Sequence, residues 1–300
     1  MPHDLSHTHS PFTPMTITTP ESAAVVYPHG AHVCSWIPVG QPDVIWLSSR
    51  AVFADMRFIR GGVPICFPWF GAGRSGTMTP SHGFARLLPW RLHEQNSTQI
   101  SYTLSSRDLE LADNVPEIHA FRENFAHRFS AMYQVAVGSS LTLTLTVHND
   151  DDSAFDYQEA LHTFLAVSDV RTIRLEGLDG ASYIEGTNND SHSHIQSGDL
   201  TFNAPTDRIY SSPQPIRVVD PGWSRTITVE REGADLAVIW NPWAEGAATM
   251  PDMGEGEWQT MVCVEGVNAF DSSIHLEPGE SHTLTYRLSV APHTDAASQR

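Results

Sequence analysis

Two short stretches of this sequence set proton-transfer groups inside or at the end of apolar runs. Glu159-Ala-Leu-His162-Thr-Phe-Leu-Ala-Val-Ser-Asp169 places a histidine in a strand-like segment, with an aspartate downstream. Met261-Val-Cys-Val-Glu265-Gly brings a carboxylate directly behind three apolar residues and a cysteine. Imidazole titrates near neutral pH, so a histidine aimed into a pocket gives or accepts a proton at little cost. A carboxylate taken out of water is pushed toward the pKa of a usable base. Together the two residue types suit general acid–base chemistry. Each also has a plainer reading, His162 as a hydrogen-bonded core histidine and Glu265 as a residue just past a strand end in solvent.

A second pattern concerns charge. The chain has a formal net charge of −18, yet between Met56 and His93 it carries Arg57, Arg60, Arg74, Arg86 and Arg91 and no Asp or Glu. The window contains Arg60-Gly-Gly-Val-Pro-Ile-Cys-Phe-Pro-Trp-Phe-Gly and Ser81-His-Gly-Phe-Ala-Arg86, whose mix of Gly, Pro, aromatics and Arg suits a concave surface that holds an anion. A solvated face of surface arginines is the alternative. All 17 basic residues are arginine, which excludes a Schiff-base lysine, a lysine base and a Walker-type lysine. A bound phosphate would have to be held by guanidinium forks, which grip oxyanions bidentately. A third segment, Leu236-Ala-Val-Ile-Trp-Asn-Pro-Trp243, precedes the acidic Met250–Trp258 stretch. Its indoles could stack on a sugar ring or simply pack. Gly186-Thr-Asn-Asn-Asp-Ser-His192-Ser-His194 has the opening spacing of a cupin metal motif, but only Asp199 stands near for the expected glutamate and no later His completes it. It reads as a loop, and His3, His7 and His9 read as part of a tail. No metal is expected.

Composition bounds the class. Hydrophobic content of 40% and charged content of 17% describe a globular chain of 300 residues that can bury a core. No apolar run approaches the roughly 20 residues that span a bilayer, and the polar His/Thr/Pro-rich start does not read as a signal peptide. The acidic balance argues against nucleic acid, which needs a broad basic surface. Cys34, Cys66 and Cys263 form no metal-type pair and cannot all pair within the chain, so a cytoplasmic protein without membrane partners is expected. A monomer is the expected state.

The elements that must position these groups are strands. Gln99–Leu104, Arg128–Val137, Leu141–Val147, Ile216–Val219, Arg225–Glu230, Leu236–Trp240 and His282–Val290 alternate apolar with polar residues or are rich in β-formers. Turn residues separate them, as at Asn149-Asp-Asp-Asp and Asp220-Pro-Gly. Only pieces near Asn114–Phe121 and Asp169–Ile173 suit helical turns. Many short strands with regular turns predict an all-β antiparallel sandwich or barrel, one domain over 15–291 with flexible ends at 1–14 and 292–300.

Arg60-Gly-Gly-Val-Pro, Phe67-Pro-Trp-Phe-Gly, His82-Gly-Phe-Ala-Arg, His162-Thr-Phe, Trp240-Asn-Pro-Trp, Cys263-Val-Glu and Leu276-Glu-Pro-Gly-Glu, in that order, resemble the glucose-6-phosphate 1-epimerases, the hexose-6-phosphate mutarotases of the aldose 1-epimerase superfamily. The resemblance runs from about Arg60 to Val290. It implies a large antiparallel β-sandwich of the galactose mutarotase type and no cofactor. It places His162 and Glu265 in catalytic positions, Arg60 and Arg86 as substrate-anchoring arginines, and Asp207, His82 and Ser81 as further sugar contacts. The chemistry it implies fits these types. Glu265 takes the proton from O1 while His162 protonates the ring oxygen from the opposite side, the ring opens, C1–C2 rotates, and the steps reverse.

The sequence departs from that pattern at Ser81, where Gln is usual, at Phe164, where Tyr is common, and after Trp243, where Ala-Glu-Gly-Ala replaces a segment that usually carries Lys. None touches the acid or the base; they bear on which sugar phosphate is preferred and how tightly it is held. Three functions follow in order: an isomerase of a hexose 6-phosphate, a mutarotase of an unphosphorylated aldose, and a carbohydrate-binding domain without turnover.

Overall fold

A strand that alternates leucine with threonine has one face for a core and one for water. The computed structural model, which describes residues 12–112, 114–186 and 192–293, sets several such strands side by side. Ser140–Asn149 keeps Leu141, Leu143, Leu145 and Val147 fully buried, with half-buried threonines between them. It pairs with Phe129–Val137 on one side and Ser281–Pro292 on the other, within a nine-stranded antiparallel sheet.

The second large sheet has eight strands and carries the residues of interest. We label six of them β1 (Ile65–Cys66), β2 (Glu159–Leu161), β3 (Phe164–Ala166), β4 (Thr206–Ser211), β5 (Leu236–Asn241) and β6 (Met261–Asn268). Across the sheet the order is β4-β5-β6-β2-β1, with β3 also on β6 and Ser182–Glu185 and Ser193–Ile195 outside β4. Every residue of β6 is buried, because both faces of this central strand are covered. Val264 and Gly266 face the nine-stranded sheet. There the Tyr286 hydroxyl donates to the Val264 carbonyl at 2.6 Å, and a Cβ on Gly266 would sit 3.4 Å from Arg231 and Tyr286. Cys263 and Glu265, two residues apart, point to the other face.

The architecture is the antiparallel β-sandwich expected. Each predicted strand segment falls in a strand, with Arg128 alone lying just before Phe129–Val137. The Asn114–Phe121 piece becomes part of α2 (Pro116–Asn124), which follows α1 (Ser106–Leu111); a third helix, α3 (Trp243–Ala248), comes after β5. Asp169–Ile173 is a turn and not a helix. The Asp169 carboxylate accepts from the Arg171 backbone N–H and binds its guanidinium, and the Thr172 N–H closes back on the Asp169 carbonyl. His3, His7 and His9 lie outside the described residues. Within the segments expected to be flexible, Phe12 stacks on His29 and the His293 N–H donates to the Ser224 carbonyl. No helix among the described residues is long and apolar enough to cross a membrane.

Candidate active site

The register of β6 decides which side chains meet. Leu161 of β2 stands opposite Gly266, and Phe164 of β3 opposite Cys263, so the two short strands continue one another. His162, in the gap between them, therefore faces Glu265 across the ladder, as same-face cross-strand neighbours do. His162 Nδ1 lies 3.4 Å from Glu265 Oε1. On the far side of β6, Glu265 pairs with Val238 and Cys263 with Trp240; these in turn pair with Ile209 and Asp207 of β4. One face of the sheet thus carries two rows, Ile209-Val238-Glu265-His162 and Asp207-Trp240-Cys263-Phe164.

Loops from the arginine window roof these rows and enclose a cavity of about 300 Å³. All seven residues singled out in the sequence line it: His162 and Glu265 from the floor, Asp207 from β4, and Arg60, Ser81, His82 and Arg86 from the loops. Phe70, Phe164, Trp240 and Met250 supply apolar walls. Such a volume, apolar with a few convergent polar groups, suits a small-molecule ligand.

Burial governs the ionisation of the pair. Glu265 is 1% exposed, and its Oε2 has no hydrogen-bond partner. Desolvation, and then the nearby Asp207 carboxylate, push its carboxyl well above the usual range, against the opposing pull of Arg86. His162 is pushed down to about 3, first by burial and then by the fields of Arg86 and Arg60; its Nδ1 has no hydrogen-bond partner. Burial thus favours the protonated carboxyl and the neutral imidazole. Moving that proton to the imidazole gives a carboxylate–imidazolium pair of the same net charge. The two groups are direct neighbours on one floor. Cys263 Sγ completes a trio whose donor atoms lie within 4.8 Å of one another, the spacing of a metal cluster. Burial pushes the Cys263 thiol well up, so it sits there as an apolar thiol.

The arginines are anchored unequally. Arg60 Nε donates to Asp252 Oδ1 at 3.1 Å, while its Nη nitrogens have no hydrogen bond among the described residues. Arg86, 8% exposed, donates from Nη2 to the Ser81 carbonyl at 2.6 Å and leaves a buried Nε without a partner. Among the described residues no carboxylate lies within ion-pair distance of it. Burying a guanidinium without a counter-ion is costly. Arg57, Arg74 and Arg91 take no part: Arg57 is exposed, and Arg74 and Arg91 pair with Asp156 and Asp108 on the surface.

His82 is held in an unusual backbone state at φ +63°, followed by Gly83 at +72°. A Cβ on Gly83 would come 2.1 Å from the Phe67 carbonyl oxygen, so glycine is required there. Gly71 grips His82 twice. Its N–H donates to His82 Nδ1 at 3.2 Å, and its carbonyl accepts from the His82 N–H at 2.7 Å. With Nδ1 an acceptor, the ring proton sits on Nε2 as a donor. Burial, then Arg86, holds the ring well below the usual histidine pKa and hence neutral.

Several sequence neighbours of the site play no part in it. Glu159 faces the sandwich interior with Asn268 and His282, and Asp169 is bound to Arg171 at the surface. His192 and His194 are exposed, and Asp199 is bridged to Arg174. Two residues of the site were missed in the sequence, Phe58 and Asp252. Phe58 lies two positions before Arg60, which in an extended chain is the same side; Asp252 lay in plain view in the acidic segment after α3.

A sandwich with His162 beside Glu265 on one sheet, under loops that carry Arg60 and Arg86, is consistent with an enzyme of the sugar mutarotase type. Comparison with known proteins agrees: residues 14–289 match the family described as aldose 1-epimerase. The chain is 34% identical to a Salmonella typhimurium protein named "Putative glucose-6-phosphate 1-epimerase" over 261 residues, 85% of this chain and 83% of that one. It is 32% identical to a Cenchrus ciliaris protein of the same name, over 92% of this chain and 84% of that one. Among solved structures, the "putative mutarotase (YeaD)" of Salmonella typhimurium superposes with a TM-score of 0.82 at 31% identity, covering 94% of this chain and 91% of its own. The chain belongs to the aldose 1-epimerase family and is an isomerase.

Proposed function

We propose that this cavity interconverts the α and β anomers of a hexose 6-phosphate, with glucose 6-phosphate the leading candidate. The observation that carries the phosphate is Arg86, a buried guanidinium without a carboxylate partner in the same cavity as the acid–base pair. The relatives named for glucose 6-phosphate support the same reading.

Anomerisation removes the proton from O1 and delivers one to the ring oxygen. Both oxygens hang on C1, so base and acid must converge on one point, which adjacent groups 3.4 Å apart can do. Glu265 is the base at O1 and His162 the acid at the ring oxygen. Loss of the O1 proton and protonation of the ring oxygen break the C1–O5 bond and give the open aldehyde. After rotation about C1–C2 the protons return by the reverse path. Asp207, Ser81 and the His82 Nε2–H orient the hydroxyls, and Trp240 supports the ring. Positioned acid–base groups contribute about 10²–10⁴-fold each. The phosphate has a second effect. The arginine field that depresses His162 is offset by the phosphate's negative charge, so a bound substrate favours the imidazolium that the reaction needs.

NMR exchange spectroscopy on equilibrated glucose 6-phosphate and on free glucose tests this directly. Faster anomer exchange of the phosphorylated sugar, with a lower KM than for glucose, is expected. No acceleration of glucose 6-phosphate exchange at micromolar enzyme would refute the proposal.

A further inference from the structure

The two cavity arginines share one aromatic ring. The Arg60 guanidinium carbon stands 4.8 Å from the Phe58 ring centroid, and that of Arg86 stands 4.4 Å from the same centroid. Phe58 lines the cavity and is half-buried. The two cations reach it from different parts of the chain: Arg60 two residues along the same segment, Arg86 from the 3-10 turn Ala85–Leu87. Two guanidinia brought together repel each other and are stripped of water. The negative face of an aromatic ring is what the chain supplies to hold them there. Asp252 takes only Nε of Arg60, and the Ser81 carbonyl takes only Nη2 of Arg86. Both side chains are thus fixed from behind while other guanidinium nitrogens stay unengaged, as a clamp requires before its anion arrives.

We infer that Phe58 is the positioning residue of a two-arginine phosphoryl clamp, and so sets the discrimination between phosphorylated and free hexose without taking part in proton transfer. The inference rests on the hexose 6-phosphate reading. An anchor that presets two guanidinia reduces the ordering that phosphate binding would otherwise require. An aliphatic residue of similar bulk would fill the space yet give neither cation a face to rest on.

The test compares wild type, Phe58→Leu and Phe58→Tyr. It measures kcat and KM for glucose 6-phosphate and for glucose, together with calorimetric binding of inorganic phosphate. Loss of both ring contacts should raise KM for glucose 6-phosphate, and Kd for phosphate, about tenfold in Phe58→Leu. KM should rise several-fold more for glucose 6-phosphate than for glucose, and Phe58→Tyr, which keeps the ring, should restore phosphate affinity. A Phe58→Leu enzyme with unchanged phosphate affinity overturns the inference and leaves the hexose 6-phosphate reading intact. So does one impaired equally on both sugars, which would mark Phe58 as packing alone. A wild-type enzyme that binds no phosphate and prefers glucose overturns both.

Discussion

Replacing Glu265 by glutamine should separate turnover from stability, because burial makes this carboxylate useful to the first and harmful to the second. The side chain is 1% exposed and Oε2 has no partner, so an amide of the same shape leaves no void and breaks no hydrogen bond at that atom. Burial and Asp207 raise the native pKa well above the ordinary 4.5. Below that value both native and unfolded states hold the proton, and the group adds no pH dependence. Above it the unfolded chain releases a proton that the native state keeps, so stability falls by about 1.36 kcal/mol per pH unit until the native pKa is reached. Glutamine has no such slope. Urea denaturation at pH 5 and pH 8 should show Glu265→Gln close to wild type at the lower pH. At the higher pH it should be more stable by at least about 1 kcal/mol. In the same protein, anomer exchange should drop by about 10²–10⁴-fold. A variant no more stable than wild type at pH 8 refutes the argument from burial; one with near-normal turnover refutes the assignment of the base.

Arg86→Met should raise KM for glucose 6-phosphate at least about tenfold and leave KM for glucose nearly unchanged, read from the same exchange assay. Asp252→Asn keeps an acceptor for Arg60 Nε but removes a negative charge from the roof, so inorganic phosphate should inhibit roughly three- to tenfold more strongly; unchanged inhibition would show that Asp252 only orients. Arg225 is fully buried and donates to the carbonyls of Pro42, Asp43 and Ala166, which tie the end of β3 to a surface loop. Arg225→Ala should cost roughly 3–5 kcal/mol in urea denaturation, with KM unchanged in whatever fraction stays folded. The Glu159 hydrogen bond raises the pKa of His282 above 6.5, so this contact stabilises fully below 6.5 and is lost as pH rises through the raised value. The stability gap between wild type and His282→Gln should therefore be widest near pH 6 and narrow toward pH 9.

The strands were legible because each carries its own evidence. Leu141 to Val147 alternates within one segment and needs no partner to be recognised. The pairing of His162 with Glu265 was visible only as two suspicious residue types 103 positions apart. Their meeting depends on the register of two short strands against β6, which no local pattern encodes. The helices show the reverse. Ser105 and Asp108 form a capping box that marks the start of α1, a local signal that went unused. Asp169–Ile173, read as suited to a helical turn, forms a single turn closed by the aspartate's own bonds. Charge counting found the arginine window but could not sort it. Arg60 and Arg86 differ from Arg57, Arg74 and Arg91 only in what the fold stacks around them.

That sorting follows from cost. An arginine at the surface finds a carboxylate or water at little expense, as Arg74 and Arg91 do with Asp156 and Asp108. One in a dry cavity persists only if something offsets its desolvation. For Arg60 that is Asp252; for Arg86 it is a carbonyl and a ring face. Burial therefore disfavours charge on both sides of the cavity, on the Glu265 carboxyl and the His162 imidazole below and on the Arg86 guanidinium above. On the proposed reading, a sugar phosphate would relieve both at once. Its phosphoryl group would supply an anion to Arg86 and weaken the field that lowers the pKa of His162. An unphosphorylated sugar would meet the same acid and base but leave His162 depressed. On the hexose 6-phosphate proposal, the phosphate thus bears on the protonation of His162 as well as on KM. In consequence, inorganic phosphite added with free glucose should partly restore its exchange rate if the anion and the sugar ring occupy the cavity together.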